Sequence, residues 1–145
     1  MKINEKLLKE KSSIKLYLSS SYTYTSKNVT KLSLSKSTSK GNGLILSDGG
    51  VKIGKGITHV FISAQIYFYT GSNHSDGKCC LVYKNGTVVA RTHDRLNLNY
   101  FHVNNSIIIP VEEGDIINLY VQNDTTNQTV IGGGDGNTYL NVIEL

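Results

Sequence analysis

The chain has 145 residues, of which 39% are hydrophobic and 18% charged, with no tryptophan and one proline. That length suits a single domain able to bury a core. Helix formers are scarce outside the first residues, and the abundance of Ser, Thr, Asn, Gly, Tyr, Val and Ile excludes a helical bundle in favour of strands and tight turns. The formal charge of +4 is front-loaded, with nine of the fifteen Lys and Arg residues before position 41. No Arg-rich helix or loop accompanies them and no apolar run is long enough to span a bilayer, so neither nucleic-acid binding nor membrane insertion is expected.

In chain order, MKINEKLLKEKSS (1–13) carries the only helical stripe, Ile3, Leu7 and Leu8, which is too short to stand alone. It has neither the apolar core nor the small-residue cleavage site of a secretory signal, so synthesis in the cytosol is expected. From Ile14 the period becomes two: Ile14, Leu16 and Leu18 alternate with Lys15, Tyr17 and Ser19, as in a strand or an extended arm. Residues 19–28 are rich in Ser and Thr and resemble a linker. Residues 1–28 are therefore read as a connecting segment or arm, and 29–145 as the compact domain.

Ten short strands are predicted in that domain, at 29–35, 43–47, 50–53, 58–69, 78–84, 87–92, 105–111, 115–122, 128–131 and 138–144. Turn signals separate them: Asp48-Gly49-Gly50, Asn85-Gly86, Glu113-Gly114-Asp115 and the glycine cluster from Gly132 to Gly136. Asn85-Gly86 is the strongest hairpin signal, because a type I′ turn needs positive φ at both central residues. Many short strands without interposed helices predict an all-β fold, a sandwich, jelly roll or barrel of antiparallel strands.

The chemistry-bearing residues do not assemble into a catalytic pattern. Glu112 and Glu113 are neighbours in extended chain and point apart, so with Asp115 they read as a turn after Pro110 rather than as paired carboxylates. His59, His74, His93 and His102 with Cys79 and Cys80 show no zinc spacing. There is no Gly-x-Ser-x-Gly elbow, and the glycine cluster lacks the Gly-Lys-Ser/Thr ending of a phosphate loop. No enzyme activity, cofactor or metal is expected. Cys79 and Cys80 are adjacent, a poor geometry for a disulfide, and are read as reduced thiols on opposite faces of a strand.

Binding residues are sought in loops at one end of the sandwich. Asn73, His74 and Asp76 lie in the segment 71–77, and Arg91, His93, Asp94, Arg95, Asn99 and Tyr100 in the segment 91–101. An aromatic ring stacks on the apolar face of a sugar while Asn, Asp and Arg reach its hydroxyls, so these residues are candidates for glycan recognition.

Four segments in order, ISAQIYFY (62–69), LVYKNG (81–86), VEEGDIINLYV (111–121) and TYLNVIEL (138–145), resemble the trimeric jelly rolls of tumour necrosis factor and the complement globular heads. The resemblance covers about residues 29–145 and implies a jelly-roll sandwich that forms a homotrimer. With no collagen-like repeat and a lysine-rich first segment, the whole looks more like the distal domain of a bacteriophage or prophage fibre, tail or head-decoration protein. Its partners would be its own copies, other virion proteins through residues 1–28, and host cell-surface polysaccharide. A capping domain without a ligand, or a stand-alone carbohydrate-binding module, is the alternative. If strands 58–69, 115–122 and 138–144 share one sheet, its outer face carries Gln65, Tyr67, Tyr69, Asn118, Tyr120, Gln122, Tyr139, Asn141 and Ile143. That uncharged aromatic and amide surface reads as the trimer interface.

Overall fold

A computed structural model describes residues 10–70, 76–95 and 98–145. The helical stripe read in residues 1–13 falls almost wholly outside them. The described chain is all β, with thirteen strands numbered in chain order.

The first sheet sets five rows side by side: β4 (Lys36–Lys40), β1 (Ser13–Tyr17), β13 (Tyr139–Glu144), β7 (His59–Tyr69) and β10 (Tyr100–Pro110). Two short pieces, β2 (Tyr22–Tyr24) and β12 (Thr129–Ile131), continue the β1 and β13 rows, and β12 pairs with the end of β7. The second sheet runs β5 (Leu44–Ser47), β6 (Gly50–Ile53), β11 (Ile116–Asn123), β8 (Gly77–Lys84) and β9 (Thr87–Arg95), with β3 (Thr30–Lys31) pairing the far end of β11. Every pairing is antiparallel. Chain neighbours repeatedly cross from one sheet to the other, which is the jelly-roll connectivity.

The period-two alternation decides which side chains are buried. Val60, Ile62, Ala64, Ile66 and Phe68 of β7, Leu140 and Val142 of β13, and Ile14 and Leu16 of β1 face inward from the first sheet. Ile117, Leu119 and Val121 of β11 and Cys80 and Val82 of β8 meet them from the second. Each fully buried aliphatic side chain contributes about 1.5–3 kcal/mol relative to exposure. Cys79 and Cys80 are both free and buried, and Cys80 faces the core.

Three expectations change. The boundary at residue 29 does not separate an arm from the sandwich, because β1 lies between β13 and β4 and is hydrogen-bonded on both sides. Its Ile14 and Leu16 would be left exposed in an arm, whereas here they fill the core. Strand β11 belongs to the second sheet and does not share one with β7 and β13. Lastly, the segment 91–101 is not a single loop: Arg91 to Arg95 complete β9, and Tyr100 opens β10, which is eleven residues long.

The acidic stretch after Pro110 is a turn, as expected. Asp115 accepts a bond from the Glu112 backbone N–H at 2.8 Å and another from Asn85 Nδ2 at 2.8 Å, and Asn85 Oδ1 accepts from the Ile116 N–H at 2.9 Å. Asn85 itself has φ of 51° and Gly86 of 80°, the positive values that an Asn-Gly hairpin turn requires. Taken alone, burial raises the pKa of Asp115; the Asn85 and Glu112 bonds and the Lys84 charge outweigh it and hold the carboxyl below its ordinary value.

Candidate functional site

Two surfaces stand out, one on each sheet. The outer face of β10, β7 and β13 is aligned by register into rows: Ile108, Phe61 and Ile143; Ser106, Ser63 and Asn141; Asn104, Gln65 and Tyr139; then His102 with Tyr67 and Tyr100 with Tyr69. No Lys, Arg, Asp or Glu stands on it. Tyr100 is 60% exposed, Ile108 59% and Tyr69 43%. The rings are matched across the strands, with Tyr67 and His102 at 4.8 Å between centroids and Tyr69 and Tyr100 at 6.3 Å. Along the sheet, charge resumes at Lys15 on β1, whose Nζ lies 4.4 Å from the Tyr139 ring centroid, and at Lys36 and Lys40 on the edge strand β4. An edge strand that alternates Lys with Ser and Thr resists pairing with another chain.

Six of the nine residues expected on the interface lie on this face: Gln65, Tyr67, Tyr69, Tyr139, Asn141 and Ile143. Asn118, Tyr120 and Gln122 do not. They project from β11 on the outside of the opposite sheet, where Tyr120 packs on Tyr83 at 4.0 Å. Strand β10 supplies what the sequence reading missed. Its inward row runs Phe101, Val103, Asn105, Ile107, Ile109, and the polar Asn105 interrupts the apolar period that would have revealed a long strand. The glycine connection between β12 and β13 covers one corner of the face. Gln65 Nε2 donates to the carbonyls of Gly136 and Asn137, and Gly132 lies against the Tyr67 ring.

The second surface is a cluster on the outer side of β9. His93 and Arg95 alternate outward and converge on Asp124, just past β11. Arg95 Nη2 donates to Asp124 Oδ2 at 2.8 Å, and His93 Nε2 is 3.2 Å from both carboxylate oxygens. Arg91, on the same row, reaches the Cys79 sulfur at 3.5 Å. Burial pushes the Asp124 carboxyl up, but hydrogen bonds and charge from Arg95 and His93 outweigh this and hold its pKa below the ordinary carboxylate value. Gly77 lies beneath the cluster; a Cβ there would strike the His93 and Asp124 side chains.

The remaining candidate residues scatter. Asn73 and His74 lie outside the described residues. Asp76 accepts bonds from Thr125 Oγ1 at 2.6 Å and Asn127 Nδ2 at 2.8 Å, which ties the start of β8 to the segment after β11. Asp94 alternates to the inward side of β9, opposite Lys78. Asn99 offers its carbonyl to the Thr70 N–H at 2.7 Å, and Tyr100 belongs to the other sheet's outer face. The seven described candidates therefore do not form one pocket: His93 and Arg95 converge on Asp124, and Arg91 follows on the same outward row of β9.

No family model matches the chain, and no curated protein matches it. Solved structures do. Murine APRIL at pH 8.0 is 16% identical, with a TM-score of 0.70 over 94% of this chain and 100% of that one. Eiger TNF from S. frugiperda is 8% identical, with a TM-score of 0.71 over 94% of each chain. The PRD1 vertex protein P5 is 13% identical, with a TM-score of 0.67 over 92% of this chain and 96% of that one. The chain shares the jelly-roll fold of these proteins.

The alignment covers 94% of the chain, more than residues 29–145 alone would supply, so it takes in part of the first 28 residues. Neither Asp124 nor Gly77 carries a motif that ties it to His93 and Arg95. The available signal was indirect: His93 and Arg95 are two apart, hence on one face of any strand, and need a partner from a neighbouring strand.

Proposed function

We propose that this protein is a structural module of a phage or prophage particle, a fibre, tail or head-decoration component. Its jelly roll assembles as a homotrimer through the outer face of β10, β7 and β13. The observation that carries the reading is the uncharged face: five registered rows of Tyr, Ile, Phe, His, Ser, Asn and Gln without one Lys, Arg, Asp or Glu. A solvated sheet face of this size ordinarily carries charge, whereas the buried centre of an interface is depleted in it and enriched in aromatic rings. The likeness to a vertex protein fits a particle component, and the likeness to APRIL and Eiger fits the fold the assembly would use.

The exposed cluster of Arg91, His93 and Arg95 around Asp124 sits on the opposite sheet, so it stays accessible in such an assembly. It offers two guanidinium groups, that of Arg95 held by the Asp124 carboxylate, which suits hydroxyl or acidic groups of a host-surface polysaccharide. Synthesis in a bacterial cytoplasm, incorporation into a virion and contact with other virion proteins through the first residues belong to the same reading. Binding is tested by adding host cell-wall polysaccharide to the immobilised protein. The wild type is expected to retain it and Arg91→Ala/Arg95→Ala to lose at least tenfold in affinity. Equal retention by both would remove the cluster from the reading, and no retention by either would favour a capping module without ligand.

A further inference from the structure

At one end of the second sheet two polar residues point into the sandwich. Lys78 continues the inward row of Cys80 and Val82, and Asn123 continues that of Ile117, Leu119 and Val121. The β8–β11 register places Lys78 and Asn123 directly opposite each other. Lys78 is fully buried and Asn123 is 1% exposed. Among the described residues neither polar atom of the Asn123 amide has a hydrogen-bond partner, and Lys78 Nζ has none within 3.5 Å. The carboxylate of Asp76 stands 3.7 Å from Lys78 Nζ, oriented by Thr125 and Asn127.

Burying an ammonium ion and a primary amide without hydrogen bonds is costly, and it is tolerated where the groups have another use. Burial favours the neutral amine and lowers the Lys78 pKa, against the opposing charges of Asp76 and Asp124. A neutral amine is a nucleophile, an adjacent carboxyl is a proton carrier, and an amide held on the facing strand is an acceptor. We propose that Lys78 and Asn123 form an intramolecular isopeptide bond joining β8 to β11, with Asp76 as the proton-transfer group. This inference is independent of the assembly and of any glycan.

The step balances without an outside reagent. The Lys78 ammonium passes a proton to Asp76, and the freed Nζ attacks Asn123 Cγ. Asp76 returns the proton to Nδ2 and accepts the one shed by Nζ. The Cγ–Nδ2 bond breaks, ammonia leaves and takes up that last proton as ammonium, and Asp76 is again a carboxylate. One C–N bond forms, one breaks, and nothing is oxidised or reduced.

Intact-mass spectrometry of the folded full-length protein tests it. The wild type is expected to be lighter than its sequence mass by one ammonia, about 17 Da. Proteolysis should then yield a branched peptide linking Lys78 to Asn123. Lys78→Met and Asn123→Ala should each show their full sequence mass. Asp76→Asn should also remain uncross-linked; a cooperative thermal transition in each variant establishes that it has folded. A wild-type chain at its full sequence mass would overturn the proposal and leave the two side chains merely hydrated. Loss of ammonia mapped instead to a cyclic imide at Asn42-Gly43 or Asn85-Gly86 would overturn it equally.

Discussion

Gly77 sits where any side chain would strike His93 and Asp124. Gly77→Ala must therefore displace the cluster or bend the start of β8. A loss of about 1–3 kcal/mol is expected, the usual range for forcing a methyl group into filled space. Chemical denaturation measures it, and an unchanged midpoint would mean that the cluster yields freely. Asp124 and Asp115 supply an acid dependence. Both carboxyls are held below their ordinary pKa in the folded chain, so their stabilisation is present above the unfolded value near pH 4 and is lost as pH falls through the lower folded value. The fall in urea midpoint between pH 6 and pH 2.5 should be smaller in Asp124→Asn than in the wild type. Equal falls would show that the Arg95 and His93 contacts contribute nothing in solution, the known fate of many exposed ion pairs.

At the scale of elements, the strand most easily mistaken for an arm is central to the fold. β1 fills the space between β13 and β4, and its Leu16 is fully buried. Leu16→Ala should cost about 2–5 kcal/mol, as other large-to-small core changes do. A chain starting at residue 29 should fail to fold, and one starting at residue 10 should keep the cooperative transition of the full protein; far-ultraviolet circular dichroism on heating separates them. The alternation Ile14, Leu16, Leu18 was readable, but its membership in the sandwich was not, because period alone says which residues share a face and not which strands share a sheet. The same limit misplaced Asn118, Tyr120 and Gln122, since β11 has the same alternation as β7 and yet lies across the core. β4 gave no signal at all. KSTSK has no apolar residue, and as an exposed edge strand it needs none. The Asn85-Gly86 and Glu113-Gly114-Asp115 turns were legible because each rests on local chemistry: positive φ in one, side-chain bonds to the adjacent backbone in the other.

For the whole molecule, the outer faces of the two sheets differ in kind. The second sheet carries Arg91, His93, Arg95, Lys31 and Lys52, among others, and is dressed for water. The first carries, over three adjacent strands, only neutral polar and apolar side chains, with exposed Tyr100 and Ile108 near opposite ends of β10. Aromatic and aliphatic surface of that extent gains free energy when it is covered, and a symmetric assembly of identical chains is the account proposed for what covers it. Ile108→Lys places a charge in the row of Phe61 and Ile143 without touching the core. It should separate the subunits while leaving the fold intact.

The most direct test is the solution mass by light scattering on a sizing column, for the full chain and for Ile108→Lys. The expected result is a wild-type particle three times the 15.9 kDa chain mass and a variant shifted to the mass of one chain with unchanged circular dichroism. A wild type that elutes as a single chain across the micromolar range would contradict the assembly, and with it the principal support for a structural role in a particle.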